Sequence, residues 1–149
     1  LDREEERLIA AVQEALPQSL DLDDIDGVMQ AAYEAFFTAA LSNPASWRVV
    51  FEAQRIDDEI GERIVKAREM FVEQLHALLA HYFAGQQAAL AWRESRLFAE
   101  NLIALAENNA AMLLKQGADG GWTAAELAHS VTRFVLQGWH LAGTPVSEA

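Results

Sequence analysis

Two Glu-x-x-His pairs are the residues of this chain whose types and spacing come nearest to a catalytic site. They are Glu73 with His76, and Glu126 with His129. Two other predicted helices each carry one more glutamate, Glu34 and Glu100. Together with the two pairs, these residues match the number of ligands in a di-iron helical bundle. In such a bundle the ligand side chains point inward. Projection at ~100° per residue places both pairs on polar helix faces instead. We therefore predict no metal site.

The other residues with reactive side chains form no catalytic motif. His81 and His140 have no partners in the pattern, and no serine lies in a nucleophile motif. Gly120-Gly121 predicts a turn and lacks the residues of a phosphate-binding loop. Cysteine is absent, which excludes disulfides and thiolate sites and suits a cytoplasmic protein. We predict a protein that is not an enzyme and has no cofactor.

Composition limits the possible partners. The chain has 149 residues, 52% of them hydrophobic, which is enough for the core of one domain. Because no apolar run approaches the ~20 residues needed to span a bilayer, we expect no membrane partner. The 23 acidic and 11 basic residues give a net charge of −12, which disfavours nucleic-acid binding by this chain. The chain begins without Met inside a helical pattern, so we expect a fragment of a longer protein.

Apolar spacing predicts an all-α fold of about six helices, with prolines and capping residues at the helix ends. The first runs from Asp2 to about Leu16, before Pro17, and the second from its cap at Asp23 or Asp24 to about Leu41. The third opens at Asn43-Pro44 and reaches about Gln54, and the fourth runs from its cap at Asp57 to about Ala84, before Gly85. The fifth covers about Ala91 to Gln116, and the sixth runs from the capping box Thr123–Glu126 to near Gly143.

Aromatic residues gather on the second and third predicted helices. Facing the fourth helix, they would line a largely apolar pocket for a small molecule, although an ordinary core has the same composition. The predicted ligand-binding residues of this group are Met29, Tyr33, Phe36, Phe37, Trp47, Phe51, Phe71 and Leu75.

Arg68 and Asn109 are polar residues on otherwise apolar helix faces, so each needs a partner if it is buried. Arg68 would bind an anionic effector, or form a structural ion pair with Glu34, Glu52 or Glu100. Asn109 would bind the ligand or fix the register of a dimer. Both are predicted ligand-binding residues, with the structural roles left open.

The last two helices have more apolar surface than one small monomer is expected to cover. The fifth helix is apolar over most of its circumference, and the sixth has a strip of small residues that permits close helix packing. An isologous homodimer would bury both, and coverage within one chain is the alternative. The predicted interface residues are Phe98, Leu105, Met112, Ala124, Ala128, Val131, Val135, Gly138 and Ala142.

Three segments carry a resemblance to a known family. They are the acidic opening Leu-Asp-Arg-Glu-Glu-Glu-Arg-Leu, the segment from Asn43-Pro44-Ala45-Ser46-Trp47 through Asp57-Asp58-Glu59-Ile60, and the terminal pair ending Thr123-Ala124-Ala125-Glu126-Leu127 through Val135-Leu136-Gln137-Gly138. With the order and lengths of the helices, they make the chain resemble the C-terminal effector-binding and dimerisation domain of TetR-family (tetracycline-repressor-like) transcription regulators. The resemblance covers essentially the whole chain.

The resemblance implies a regulator that responds to an unidentified, largely apolar effector, and we expect a repressor that this effector releases. The effector would enter among the middle helices, and the last two helices of each copy would form a four-helix bundle. DNA would be bound only through an N-terminal helix-turn-helix domain of roughly 45–50 residues that this chain lacks. The alternative is a helical adaptor module without a small-molecule site.

Overall fold

The computed structural model describes residues 24–53, 55–56, 58–84, 92–116 and 120–142. They form five helices: α1 (Ile25–Ser42), α2 (Pro44–Ala53), α3 (Glu59–Ala84), α4 (Trp92–Gln116) and α5 (Ala124–Ala142). The prediction of an all-α fold is confirmed for these residues, and the five helices match the second to sixth predicted helices to within a residue or two. The first predicted helix lies outside the described residues.

Most helix starts follow the predicted capping chemistry. The Asp24 carboxylate accepts the Gly27 N–H ahead of α1, and Thr123 Oγ1 accepts the Glu126 N–H at 3.1 Å ahead of α5. Pro44 occupies the first position of α2. In the turn before α5, Gly121 has φ of 84°, a backbone conformation that glycine adopts without strain.

The cap of α3 was predicted one residue early. Asp58 Oδ1 accepts the Gly61 N–H at 2.7 Å, and the Asp58 carbonyl accepts the Glu62 N–H. Asp57, the predicted cap, lies outside the described residues. Two adjacent aspartates can both cap a helix, and the register in which α3 packs decides between them.

The long helices α3 and α4 form an antiparallel hairpin, since Arg68 on α3 bonds to Glu107 on α4 while His76, two turns later, bonds to Ser95. Helix α1 packs against both α4 and α5, and α2 packs across α3 and α4. The most deeply buried side chains come from α1, α3, α4 and α5: Phe37, Ala40, Val72, Ala99, Ala110, Leu113 and Ala128. Within the described part of the chain, no helix combines the length and apolar character that crossing a membrane requires.

Part of the small-residue strip of α5, which we predicted to face a second copy, is covered within the chain itself. Ala128, Val131 and Val135 are buried in the chain's own core, where α5 packs against α1. Ala124 is half-buried against the same core. For Gly138 and Ala142 the structure describes only the helical backbone. Small side chains do allow close helix packing here, but the neighbouring helix belongs to the same chain.

The apolar circumference of α4 is covered only in part. Phe98 and Leu105 pack against the core, whereas Leu97 is 61% exposed and Met112 is 38% exposed. We define the outer face of α4 by its exposed residues at helical spacing, which are Leu97, Asn101, Ala104, Asn108 and Met112. Among the described residues, this face of α4 is therefore left uncovered by the other helices.

Candidate functional site

The aromatic residues predicted to line a pocket are brought together by α1 and α2. Spacings of three, four and eight residues put Met29, Tyr33, Phe36 and Phe37 on the inner side of α1. Asn43 links the two helices, because its N–H donates to Ala39 and its carbonyl accepts the N–H of Trp47.

The rings form a continuous chain of contacts. The ring centroids are 6.0 Å apart for Tyr33 and Phe37, 6.3 Å for Phe37 and Phe36, and 5.1 Å for Phe36 and Trp47. Phe51 continues the chain at 6.0 Å from Trp47. These are the separations at which aromatic rings attract one another. We call these five rings the aromatic cluster.

The cluster joins the rest of the core on its α3 side. Leu75 packs against the buried residues of the core, and Phe71, one turn earlier, is half-buried. The predicted site residues of α1 and α2 are thus assembled by the fold. Whether they bind a ligand stays a prediction.

Trp47 contributes a polar group that has no hydrogen-bond partner among the described residues. The residue is 3% exposed, and its indole N–H has no hydrogen-bond partner in the described part of the chain. A buried donor without an acceptor costs about 1–3 kcal/mol, so most proteins avoid one. No sequence pattern predicts this unpartnered group, because whether an indole N–H finds an acceptor depends on the packing of α2.

Tyr33 uses its polar group fully. Its hydroxyl donates to the Leu102 carbonyl at 2.9 Å and so connects α1 to the middle of α4. Burial raises the pKa of Tyr33, because the surrounding core cannot solvate a phenolate. At neutral pH this side chain is therefore an uncharged hydrogen-bond donor.

Arg48 makes a similar connection near the end of α4. Its guanidinium Nη2 donates to the Leu114 carbonyl at 2.9 Å. This carbonyl belongs to the last turn of α4, where helix carbonyls lack partners within the helix and a cation is favoured. The sequence pattern does not predict this contact, because it depends on the position of α2 across α4.

Arg68 forms the structural ion pair that was one of its two predicted alternatives. Its Nε donates to Glu107 at 2.8 Å and its Nη1 to Glu100 at 3.0 Å. Burial would lower the pKa of Arg68, but the hydrogen bonds that it donates to Glu107 and Glu100 and the charges of these carboxylates outweigh this effect, so the pKa is raised. Because two carboxylates already neutralise this cation, a role in binding an anionic effector has no support in its contacts and stays a prediction.

A second cation extends these contacts along the hairpin. Arg96 on α4 binds Glu69 at 2.8 Å, pairs with Glu73, and lies 3.4 Å from Glu100. The shared carboxylate is Glu100, whose pKa is lowered mainly by the hydrogen bond from Arg68, against an opposing effect of burial. The two arginines and four glutamates define what we call the α3–α4 charge network.

His76 contradicts the predicted polar face of α3. It is 2% exposed, and its Nε2 lies 3.1 Å from Ser95 Oγ, which is fully buried on α4. His76 follows Val72 by four residues and precedes Leu79 by three. This spacing places the three side chains on the same helix face and so predicts that His76 is buried with the other two. Glu73, in contrast, lies on the exposed side, so this Glu-x-x-His pair is split between two faces.

The second pair, Glu126 and His129, is exposed as predicted. Among the described residues, no group of three or more His, Asp or Glu side chains is placed to hold a metal ion.

Asn109 bonds to its own helix. Its Nδ2 donates to the Leu105 carbonyl, one turn earlier, at 2.8 Å, and the side chain is half-buried. This bond supplies a partner for the amide without a ligand or a second copy. Its predicted roles in ligand binding or dimer register remain predictions.

Comparison with known proteins adds no relative: no protein-family model, no curated protein and no solved structure matches this chain.

Proposed function

We propose that this chain is the effector-sensing and dimerisation domain of a cytoplasmic, TetR-like transcription regulator that represses until a small molecule releases it. The observation that carries the proposal is the aromatic cluster, in which the buried indole N–H of Trp47 has no partner among the described residues. A largely apolar site with few polar groups is the usual form of a small-molecule site.

The cluster is attached to α4 by two hydrogen bonds. Tyr33 bonds to the Leu102 carbonyl, and Arg48, the neighbour of Trp47, bonds to the Leu114 carbonyl. A ligand that separates the rings would shift α1 and α2, and these bonds would pass the shift to α4. The regulation would then follow from unequal affinity of the effector for two positions of α4.

The outer face of α4 supports dimerisation by its symmetry. Two pairs of exposed residues are placed symmetrically about the midpoint between positions 104 and 105. One pair is Leu97 and Met112, and the other is Asn101 and Asn108. A twofold axis passing there would set Leu97 of one copy opposite Met112 of the partner subunit, with the two α4 helices antiparallel. Ala104, which is small and exposed, lies at the centre and permits close approach.

Helix α5 adds a large apolar residue outside the core. Phe134 is 71% exposed, and Trp122, in the turn before α5, is 42% exposed. The Trp122 carbonyl accepts from Gln116, so Trp122 lies beside the C-terminal end of α4. Exposed aromatic residues of this size are typical of interface anchors. The proposed interface thus uses the two helices that were predicted to dimerise and retains Met112 from the predicted interface residues.

The adaptor alternative shares the dimer and lacks the ligand. The close ring contacts of the cluster suit it, since they describe a packed core. The unpartnered Trp47 N–H favours the sensor, because a purely structural core gains nothing from an orphan donor.

The decisive experiment is to sequence the gene upstream of the codon for Leu1. We expect roughly 45–50 codons there that encode a basic helix-turn-helix domain. A stop codon or an unrelated domain in that position would overturn the regulator proposal and leave the adaptor.

A further inference from the structure

The unpartnered indole N–H of Trp47 restricts the chemistry of the effector. We propose that the effector is an uncharged aromatic compound with a carbonyl oxygen, and that Trp47 Nε1 donates a hydrogen bond to this oxygen. This inference rests on the proposed sensing function and specifies the ligand class of that site.

The carbonyl requirement follows from the donor itself. An indole N–H only donates, so its partner must be an acceptor. The residue is 3% exposed, and its ring contacts Phe36 and Phe51. An ordered water usually needs two to four polar partners, which these aromatic neighbours do not offer. A ligand oxygen attached to an apolar body satisfies the N–H without needing further partners.

The aromatic body of the ligand follows from the surrounding rings. Phe36 meets Trp47 edge to face, at 65° between the planes, and Phe51 is tilted at 36°. A flat ring that separates them would meet the same faces and edges that the rings now present to one another, which is the preferred packing of aromatic groups.

The absence of charge follows from two arginines that could act as counter-ions, Arg48 on α2 and the predicted site residue Arg68 on α3, because both already have partners. Arg68 is held by Glu100 and Glu107, and the Arg48 guanidinium bonds to the Leu114 carbonyl. An anionic ligand would have to displace one of these contacts, and a buried, uncompensated charge is costly. A ketone or aldehyde avoids this cost.

The test uses two probes of the same shape. Acetophenone has a carbonyl oxygen where α-methylstyrene has a CH₂ group, so the pair differs mainly in the acceptor. Each is titrated into ¹⁵N-labelled wild-type protein, which has four tryptophan indole resonances, and Trp47→Phe identifies the one from Trp47. We expect acetophenone to move this indole proton downfield and to bind about tenfold more tightly than α-methylstyrene, the factor that one net hydrogen bond supplies.

Two variants check the origin of the preference. Trp47→Phe keeps an aromatic ring and removes the N–H, so the affinities for the two probes should become equal. Glu52→Gln changes an exposed side chain on the same helix and leaves the Trp47 N–H in place, so the tenfold preference should persist. The wild-type titration needs neither variant to fold, because the Trp47 indole can also be assigned from its contacts with Phe36 and Phe51.

Three results would overturn the inference. Equal binding of both probes to the wild type would remove the acceptor requirement. Movement of Phe36 and Phe51 resonances by acetophenone, without movement of the Trp47 indole, would assign the ligand to the cluster but not to this donor. Binding of neither probe would exclude the carbonyl-aromatic class. All three leave the upstream codons to decide the regulator proposal separately.

Discussion

Tyr33 shows at the scale of one residue how a buried polar group is kept at low cost. Its hydroxyl donates to the Leu102 carbonyl, while the ring packs against Phe37. The carbonyl also accepts a hydrogen bond within α4, so removal of the hydroxyl leaves no group wholly unsatisfied. We therefore expect Tyr33→Phe to lower the free energy of unfolding by about 1 kcal/mol, measured by urea unfolding at neutral pH. An unchanged free energy would show that this contact contributes nothing.

The raised pKa of Tyr33 adds a dependence on alkaline pH. The unfolded chain ionises this phenol near its ordinary pKa of about 10, whereas the folded chain resists ionisation. The contribution of Tyr33 to the free energy of unfolding is therefore fully present below about pH 10 and falls as the pH rises above this value. The stability of the wild type should fall relative to that of Tyr33→Phe above pH 10. Tyr82 is present in both proteins and cancels, so parallel curves would contradict this expectation.

At the scale of elements, the α3–α4 hairpin is joined by polar contacts as well as by apolar packing. The charge network lies on one side, and the buried pair of His76 and Ser95 lies farther along α3. Such contacts fix which turns of the two helices face each other, because each polar group has to lie opposite a partner on the other helix.

Glu100 is the carboxylate that both arginines of this network share. Its pKa is lowered chiefly by the hydrogen bond from Arg68, so its stabilising effect is present above the ordinary glutamate pKa of about 4.3. The effect is lost as the pH falls through the lowered pKa of the folded state. We expect the free energy of unfolding of the wild type to fall more steeply below pH 4.3 than that of Glu100→Gln, measured by urea unfolding. Glu52→Gln, at an exposed position on α2, is the matched control and should follow the wild type.

The elements could be predicted from sequence far better than the contacts between them. Helix bounds follow from local signals such as Pro44, Asp24 and Thr123, which act within one turn. The gathering of Phe36 and Trp47 could also be predicted, since both lie on the apolar sides of neighbouring helices. Which helix covers the strip around Ala128, and which glutamates meet Arg68, depend on distant packing that one sequence does not show.

At the scale of the whole molecule, burial separates residues that support the fold from residues free to bind a second copy. Ala128 is fully buried between α5 and the core, whereas Ala104 is exposed at the centre of the outer face of α4. Both are alanines on the two helices expected to dimerise. An arginine at each position should therefore have a different consequence. Ala128→Arg should unfold the chain, because it forces a charge into a packed core.

Ala104→Arg should instead break the dimer and leave the fold intact. We expect sedimentation equilibrium to give a dimer for the wild type and a monomer for Ala104→Arg, with unchanged helical circular dichroism. The long charged side chain would be buried at the twofold axis, facing the same arginine of the partner subunit. Met70→Arg is the matched control, because Met70 is an apolar residue on α3 that is 64% exposed and lies outside the proposed interface. A wild-type monomer, or a dimer that survives Ala104→Arg, would remove α4 from the interface, and the link from the aromatic cluster to the spacing of two subunits would be lost with it.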